Sequence, residues 1–208
     1  MSRTPCTQVI SLPSSTVSGK DTAILTNAKG LRFRGRYSFL SNFFPAIVYG
    51  YPTVEHAYQA AKTTDKAERT GIRSARTPAL AKKMGRQLKL RHNWTEIKLE
   101  VMETLLRKKF AVPFLHKALA ATGDIPLVEV NYWCDNFWGD CGCQKCENIE
   151  GQNHLGKLLM KIRNEYPLDS KSGNSWSYNS PSFRDKCMRK VDLCRQEMVN
   201  RSFRSIDY

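Results

Sequence analysis

The chain has 208 residues, 41% of them hydrophobic and 10% aromatic, enough for one compact domain with extensions. No run approaches 18 apolar residues and no apolar segment opens the chain, so a transmembrane helix and a secretory signal are not expected and a cytoplasmic, non-membrane protein is. The net charge is +14; residues 1–28 contribute +1 and residues 167–208 contribute +3, which leaves +10 in the middle of the chain and favours polyanionic or phosphate-bearing partners.

Residues 1–28 are rich in Ser, Thr and Pro and read as an arm with at most one short strand, Thr22–Thr26. Leu31–Phe33 and Ala46–Tyr49 read as short strands, with the aromatic segment Ser38–Pro45 between them and Gly50 turning the chain into a helix. Thr53 is a good N-cap for that helix, and Glu55 falls in its first turn, where a carboxylate suits the positive end of the helix dipole. Glu55, Gln59 and Lys62 then project from one face, while Ala57, Ala60 and Ala61 let neighbours pack closely. Thr77-Pro78 starts a short helix running to about Arg86. Asn93 and Glu96 have capping-box spacing before a helix with a wide apolar stripe, and Lys108-Lys109 close it at the end the dipole prefers. Pro113–Ala121 reads as a helix and Leu127–Val130 as a buried strand. Asn153 is the expected N-cap of a last helix ended by Pro167. The domain is thus 29–166, and 167–208 is an extension with one amphipathic helix, Phe183–Met198, on which Cys187 and Cys194 share a face.

Four groups join the Glu55, Gln59, Lys62 stripe as candidates for chemistry. They are Asp135 in an Asp-Asn-Phe-Trp-Gly loop, the aromatics Phe44, Trp94, Tyr132, Trp133 and Trp138, the helix N-terminus at Asn153–Gly156, and Cys134, Cys141, Cys143 and Cys146. Aromatic faces hold a base by stacking, and a helix end with Arg or Lys holds phosphate. A carboxylate can stabilise an oxocarbenium-like centre or activate water when a sugar C–N bond is cut.

Phe39–Pro45, Tyr51–Lys62, Ala81–Arg86, Trp94 with Lys98, Lys109-Phe110, Thr122–Asp124, Leu127–Glu129, Asp135–Gly139 and Gly151–Met160 occur in an order that resembles the NADAR family, over about residues 31–163. The resemblance implies a mainly α-helical α+β domain with a few short strands. It also implies N-glycosidase chemistry that needs no cofactor for catalysis. The substrate would be ADP-ribose on guanine in nucleic acid or a phosphoribosylated small molecule, an early intermediate of riboflavin synthesis. Glu55 and Asp135 match the family's acids and take the acid/base roles. Lys62 is a nucleophile or a phosphate contact. Trp94 and Trp138, with Phe44 beside them, supply aromatic surface; Gln59 and Asn42 orient hydroxyls; Arg36, Arg86 and the Asn153–Gly156 helix end hold phosphate. A catalytically silent binder of ADP-ribose or nucleic acid is the alternative of a different class, and the joint presence of Glu55, Lys62 and Asp135 speaks against it.

The loop Asp140–Cys146 departs from the family pattern, which has Gly and Lys there. Seven cysteines without a signal segment argue against a disulfide framework. Cys134, Cys141, Cys143 and Cys146 put four thiols in 13 residues, a set that suits tetrahedral zinc, although the first spacing is not that of a ribbon knuckle.

Overall fold

The computed structural model describes residues 26–27 and 30–165; the arm, most of the expected Thr22–Thr26 strand, the extension with its expected helix, and Cys187 and Cys194 lie outside the described residues. Strand β1 (Thr26–Asn27) pairs antiparallel with β2 (Gly30–Arg32), and β2 runs parallel to Leu127–Val128 a hundred residues later. A six-residue 3-10 helix, Gly35–Leu40, then drives Phe39 and Leu40 into the core.

Gly50 does not lead directly into a helix. It closes a hairpin between β3 (Pro45–Val48) and β4 (Tyr51–Thr53), with Tyr49 and Gly50 both left-handed, at φ 50° and 78°. Two consecutive positive-φ residues match the twist of a two-residue hairpin turn. Helix α1 (Val54–Ala60) starts one residue later, and Thr53 Oγ1 accepts the His56 N–H as expected. All seven residues of α1 are buried, so the helix is neither a solvent edge nor an ordinary apolar core element.

The sequence reading passes over helix α2 (Lys66–Arg73). Asp65 caps it by accepting from Glu68 N at 2.8 Å, but only Ile72 is buried, so no apolar stripe announces it. Helix α3 (Pro78–Gly85) is capped by Thr77. Gly85 matters for packing: a Cβ there would run into the Gln59 side chain, so glycine lets α3 close on α1.

Helix α4 (Trp94–Phe110) buries Met102, Leu105, Leu106 and Phe110. Its expected cap does not form, because the Asn93 side chain accepts from Arg91 Nε at 2.9 Å instead. Lys109 is also not a solvent-facing C-terminal cation. It is wholly buried and donates to Ser41 O at 2.8 Å, which anchors the loop before β3. After α5 (Pro113–Ala120), the expected strand Leu127–Val130 splits in two. Strand β5 (Leu127–Val128) completes the first sheet, while β6 (Val130–Asn131) pairs in parallel with β7 (Asp140–Cys141). The break falls at Glu129, whose N–H goes to Asn153 Oδ1 and whose carbonyl accepts from Asp140 N.

Helix α6 (His154–Glu165) packs on α4, α5 and β5, and Leu155, Leu159 and Ile162 join one core with Phe39, Val54, Leu106 and Phe110. The architecture is the expected α+β, mainly helical fold with a few short strands. No helix among the described residues is long and apolar enough to cross a membrane.

Candidate active site

A cleft of about 390 Å³ opens where α1, the end of α3 and the segment 129–138 meet. Thr53 starts α1 so that Glu55 and Gln59, four residues apart, face the cleft, and Lys62 reaches it from the turn just beyond the helix. Gln59 Nε2 donates to Glu55 Oε1 at 2.7 Å. Glu55 is 5% exposed, and burial raises its pKa against the opposing pull of the Gln59 hydrogen bond and of Lys82 and Lys62. Burial also lowers the Lys62 pKa; the field of Glu55 opposes this and the positive charges of Lys82 and Arg86 assist it. His56, the residue after Glu55, is structural: its ring bridges Thr53 Oγ1 at 2.8 Å and Ala75 O at 3.0 Å.

The opposite wall is a loop. Asp135 lines the cleft, and its Oδ1 also accepts from Trp138 N at 2.9 Å, so the carboxylate both closes a turn and faces the site. Asn131 holds that turn: its Oδ1 accepts from Asp135 N and Trp133 N, and its Nδ2 donates to Asp135 O at 2.7 Å. Sequence reasoning missed Glu129. Its carboxyl lies in the cleft beside Glu55 and Asp135, and burial pushes its pKa up to about 7, with Lys82 opposing and the two neighbouring acids assisting. Its signal was present but unused, in an acid inside an otherwise apolar Leu-Val-Glu-Val run. Lys82 was missed too; it lies in the cleft with its Nζ 5.2 Å from the centre of the Trp133 ring.

Glu55, Glu129 and Asp135, the cations Lys62, Lys82 and Arg86, and the rings of Tyr58, Trp133 and Trp138 thus line one concavity. A family model described as the NADAR domain matches residues 32–166, well over half the chain. The chain belongs to the NADAR family. It is 39% identical over 140 residues to the N-glycosidase YbiA of Escherichia coli K12, covering 64% of this chain and 84% of that protein. It is 38% identical over 137 residues to the riboflavin biosynthesis protein VVA0006 of Vibrio vulnificus, covering 62% of this chain but only 35% of that longer protein. The NMR structure of E. coli YbiA superposes with a TM-score of 0.56 at 38% identity, covering 65% of this chain and 83% of that one.

Within this NADAR domain, Glu55, Gln59, Lys62, Arg86, Asp135, Trp138 and Asn42 all line the cleft, and other candidates lie away from it. Trp94 is 6% exposed and stands behind Tyr58, their ring centres 5.1 Å apart; Tyr58, edge-on to Trp138 at 5.5 Å, is the ring that lines the cleft. Phe44 is a core residue beneath Lys109. Arg36 lies on the surface of the 3-10 helix and is not among the lining residues.

The α6 N-terminus offers no anion site. Asn153, His154 and Leu155 spend their backbone N–H groups on the carbonyls of Gly139, Phe137 and Trp138. Asn153 sits at φ 48° and its side chain ties the start of α6 to the segment 127–129, donating to Leu127 O and accepting from Glu129 N. Gly156 is glycine because a Cβ would meet Leu127 O. These two residues position the acid loop and Glu129; they hold no phosphate.

Proposed function

We propose that this protein is an N-glycosidase, the class in which its relatives are named, and that its substrate is ADP-ribose joined to guanine in nucleic acid. The observation that carries this reading is the division of charge in one cleft. Glu55, Glu129 and Asp135 share the cleft with Lys62, Lys82 and Arg86, so a ribosyl carbon and an attached pyrophosphate meet the charges each requires. Trp133, 53% exposed beside Lys82, gives the cleft an aromatic edge on which a base can stack. Asn42 Oδ1 and Gln59 Oε1 are buried without partners, acceptors that ribose hydroxyls would satisfy. The +10 charge of residues 29–166 suits a polyanionic substrate better than a single phosphate.

In this mechanism a protonated carboxyl, Glu55 or Glu129, gives its proton to the departing base nitrogen. Asp135 stabilises the positive charge that grows at C1′ and takes a proton from the Lys62 amine as that nitrogen attacks C1′. The C1′–N bond to the base breaks as the Lys62–C1′ bond forms. Ring opening gives an imine, and water then releases the sugar and restores the amine. Burial of Lys62 raises the share of free amine that the attack requires.

The names of the relatives favour a second substrate, a phosphoribosylated intermediate of riboflavin synthesis. Guanine-ADP-ribosylated DNA and a phosphoribosylated pyrimidine, incubated in parallel with the full chain, separate the two. Release of ADP-ribose from the DNA, at a kcat/KM at least about tenfold above that for the pyrimidine, is the expected result. The reverse preference replaces the substrate and keeps the chemistry. Release from neither overturns both.

A further inference from the structure

We propose that Cys134, Cys141, Cys143 and Cys146 form a structural zinc site that pins the acid loop to β7. The four Sγ atoms all lie within 4.8 Å of one another. Zinc–sulfur bonds of ~2.3 Å require thiolates about 3.8 Å apart at the corners of a tetrahedron, so little movement is needed. Cys143 and Cys146, with two residues between them, stand at the two ends of a one-turn 3-10 helix, and Cys146 N donates to Cys143 O at 2.9 Å, which is a knuckle that presents two sulfurs to one point. The other two are delivered by tertiary structure. Cys141 is in β7, and Cys134 ends the turn after β6, the strand that pairs with β7.

Two further observations point to a ligand rather than to free thiols. Cys134 is a non-glycine residue at φ 61°, a backbone conformation that L-residues adopt at a cost, and its sulfur lies 3.4 Å from that of Cys143. The backbone N–H groups of Cys134 and Cys143 both approach Cys141 Sγ, at 3.2 and 3.5 Å. Amide donors around a ligating sulfur are what a metal-bound thiolate needs for its remaining charge. A single disulfide would account for two of the four sulfurs and leave no reason for the other pair, Cys141 and Cys146 among them buried, to converge. Four thiolates with no nitrogen or oxygen donor select zinc among the divalent ions a cell offers freely. Each thiol gives up its proton on binding, so affinity rises with pH.

Cys134 lines the cleft and directly precedes Asp135. The metal therefore acts on the reaction as a positioning device, and this part of the inference rests on the function proposed above.

The test uses the full chain with Cys6, Cys187 and Cys194 changed to Ser, so that only the four thiols remain. Zinc content after expression without added metal should be about one per chain. Cobalt(II) added to the metal-stripped protein should give intense sulfur-to-cobalt absorption and the visible bands of tetrahedral cobalt. Cys143→Ser should hold about a tenth of the zinc or less under a competing chelator. Zinc removal should lower the melting temperature, and zinc return should restore it. Trace zinc with four thiols that all react with a thiol reagent overturns the site, as does an intact mass showing a disulfide in freshly purified protein. Should Cys143→Ser fail to fold, the cobalt spectrum of the parent chain decides alone. Full zinc with no glycosidase activity on any ribosylated substrate would sink the proposed function and leave the metal site standing.

Discussion

The two walls of the cleft are built in opposite ways. The wall that carries Glu55, Gln59 and Lys62 is one capped helical turn after another, its spacing set by residues a few positions apart. The wall that carries Glu129 and Asp135 has no regular element longer than two residues. It stands because Asn131 closes the turn at Asp135, while Asn153 and the carbonyls of residues 136–139 bond to more distant parts of the chain. The spacing of the first wall is set locally, whereas that of the second is set by contacts with other parts of the chain. Substitutions in the helix should therefore remove chemistry and spare stability, while substitutions beneath the loop should remove both.

The largest effect is expected on the helical wall. Glu55→Gln should lower kcat by roughly 10²–10⁴ with substrate binding and melting temperature little changed. Full activity in that variant would remove Glu55 from the mechanism. Lys62→Arg is the sharper probe of the same wall, because it keeps a cation but cannot form an imine. It should abolish borohydride trapping of a sugar on the protein, and turnover that survives in Arg but not in Ala would make Lys62 a phosphate contact.

The loop wall should answer differently. Asn153→Ala removes two side-chain hydrogen bonds at a left-handed residue and should cost about 2–4 kcal/mol in denaturant unfolding. It should also depress turnover, although Asn153 does not reach the cleft. Equal stability of this variant and the parent would break the distinction between the walls.

Glu129→Gln tests a subtler property of that wall. The folded pKa of Glu129 is raised from its ordinary carboxylate value to about 7, so the folded protein holds a proton that the unfolded chain has already lost. Its contribution to stability therefore declines as pH rises from about 4.5 to about 7, by ~3 kcal/mol at most. The Gln variant should lack that part of the slope in unfolding measured between pH 5 and 8. The smallest effect belongs to Trp94→Phe. The ring behind Tyr58 should change KM by less than about twofold while costing about 1 kcal/mol of stability. A tenfold rise in KM would return Trp94 to the substrate.

The difference between the walls also explains what could be read from the chain. The Thr53 cap, the Glu55–Gln59–Lys62 face and the stripe of α4 are local patterns, and each appears in the structure as the spacing indicates. Helix α2 escaped because one buried residue makes no stripe, although Asp65 and Glu68 have a capping spacing. Asn153 was read as a cap and an anion site because the sequence around it fits a helix start. Which backbone donors are already spent depends on residues 137–139 folding back over them. Lys109 sits at the helix end the dipole prefers, as its position indicates, and the neighbouring core decides that it points inward.

Sequence by itself determined that a capped helix and the turn after it bring a carboxylate, an amide and an amine to one side, and that four thiols lie close in the chain. Both follow from fixed periodicities and short separations. Tertiary structure alone decided that Glu129 and Lys82 complete the cleft, that Tyr58 rather than Trp94 lines it, and that the four sulfurs converge. Those outcomes depend on the pairing of β6 with β7 and the packing of α3 on α1. Such contacts join segments that are not neighbours along the chain, and no helical or strand periodicity encodes their approach.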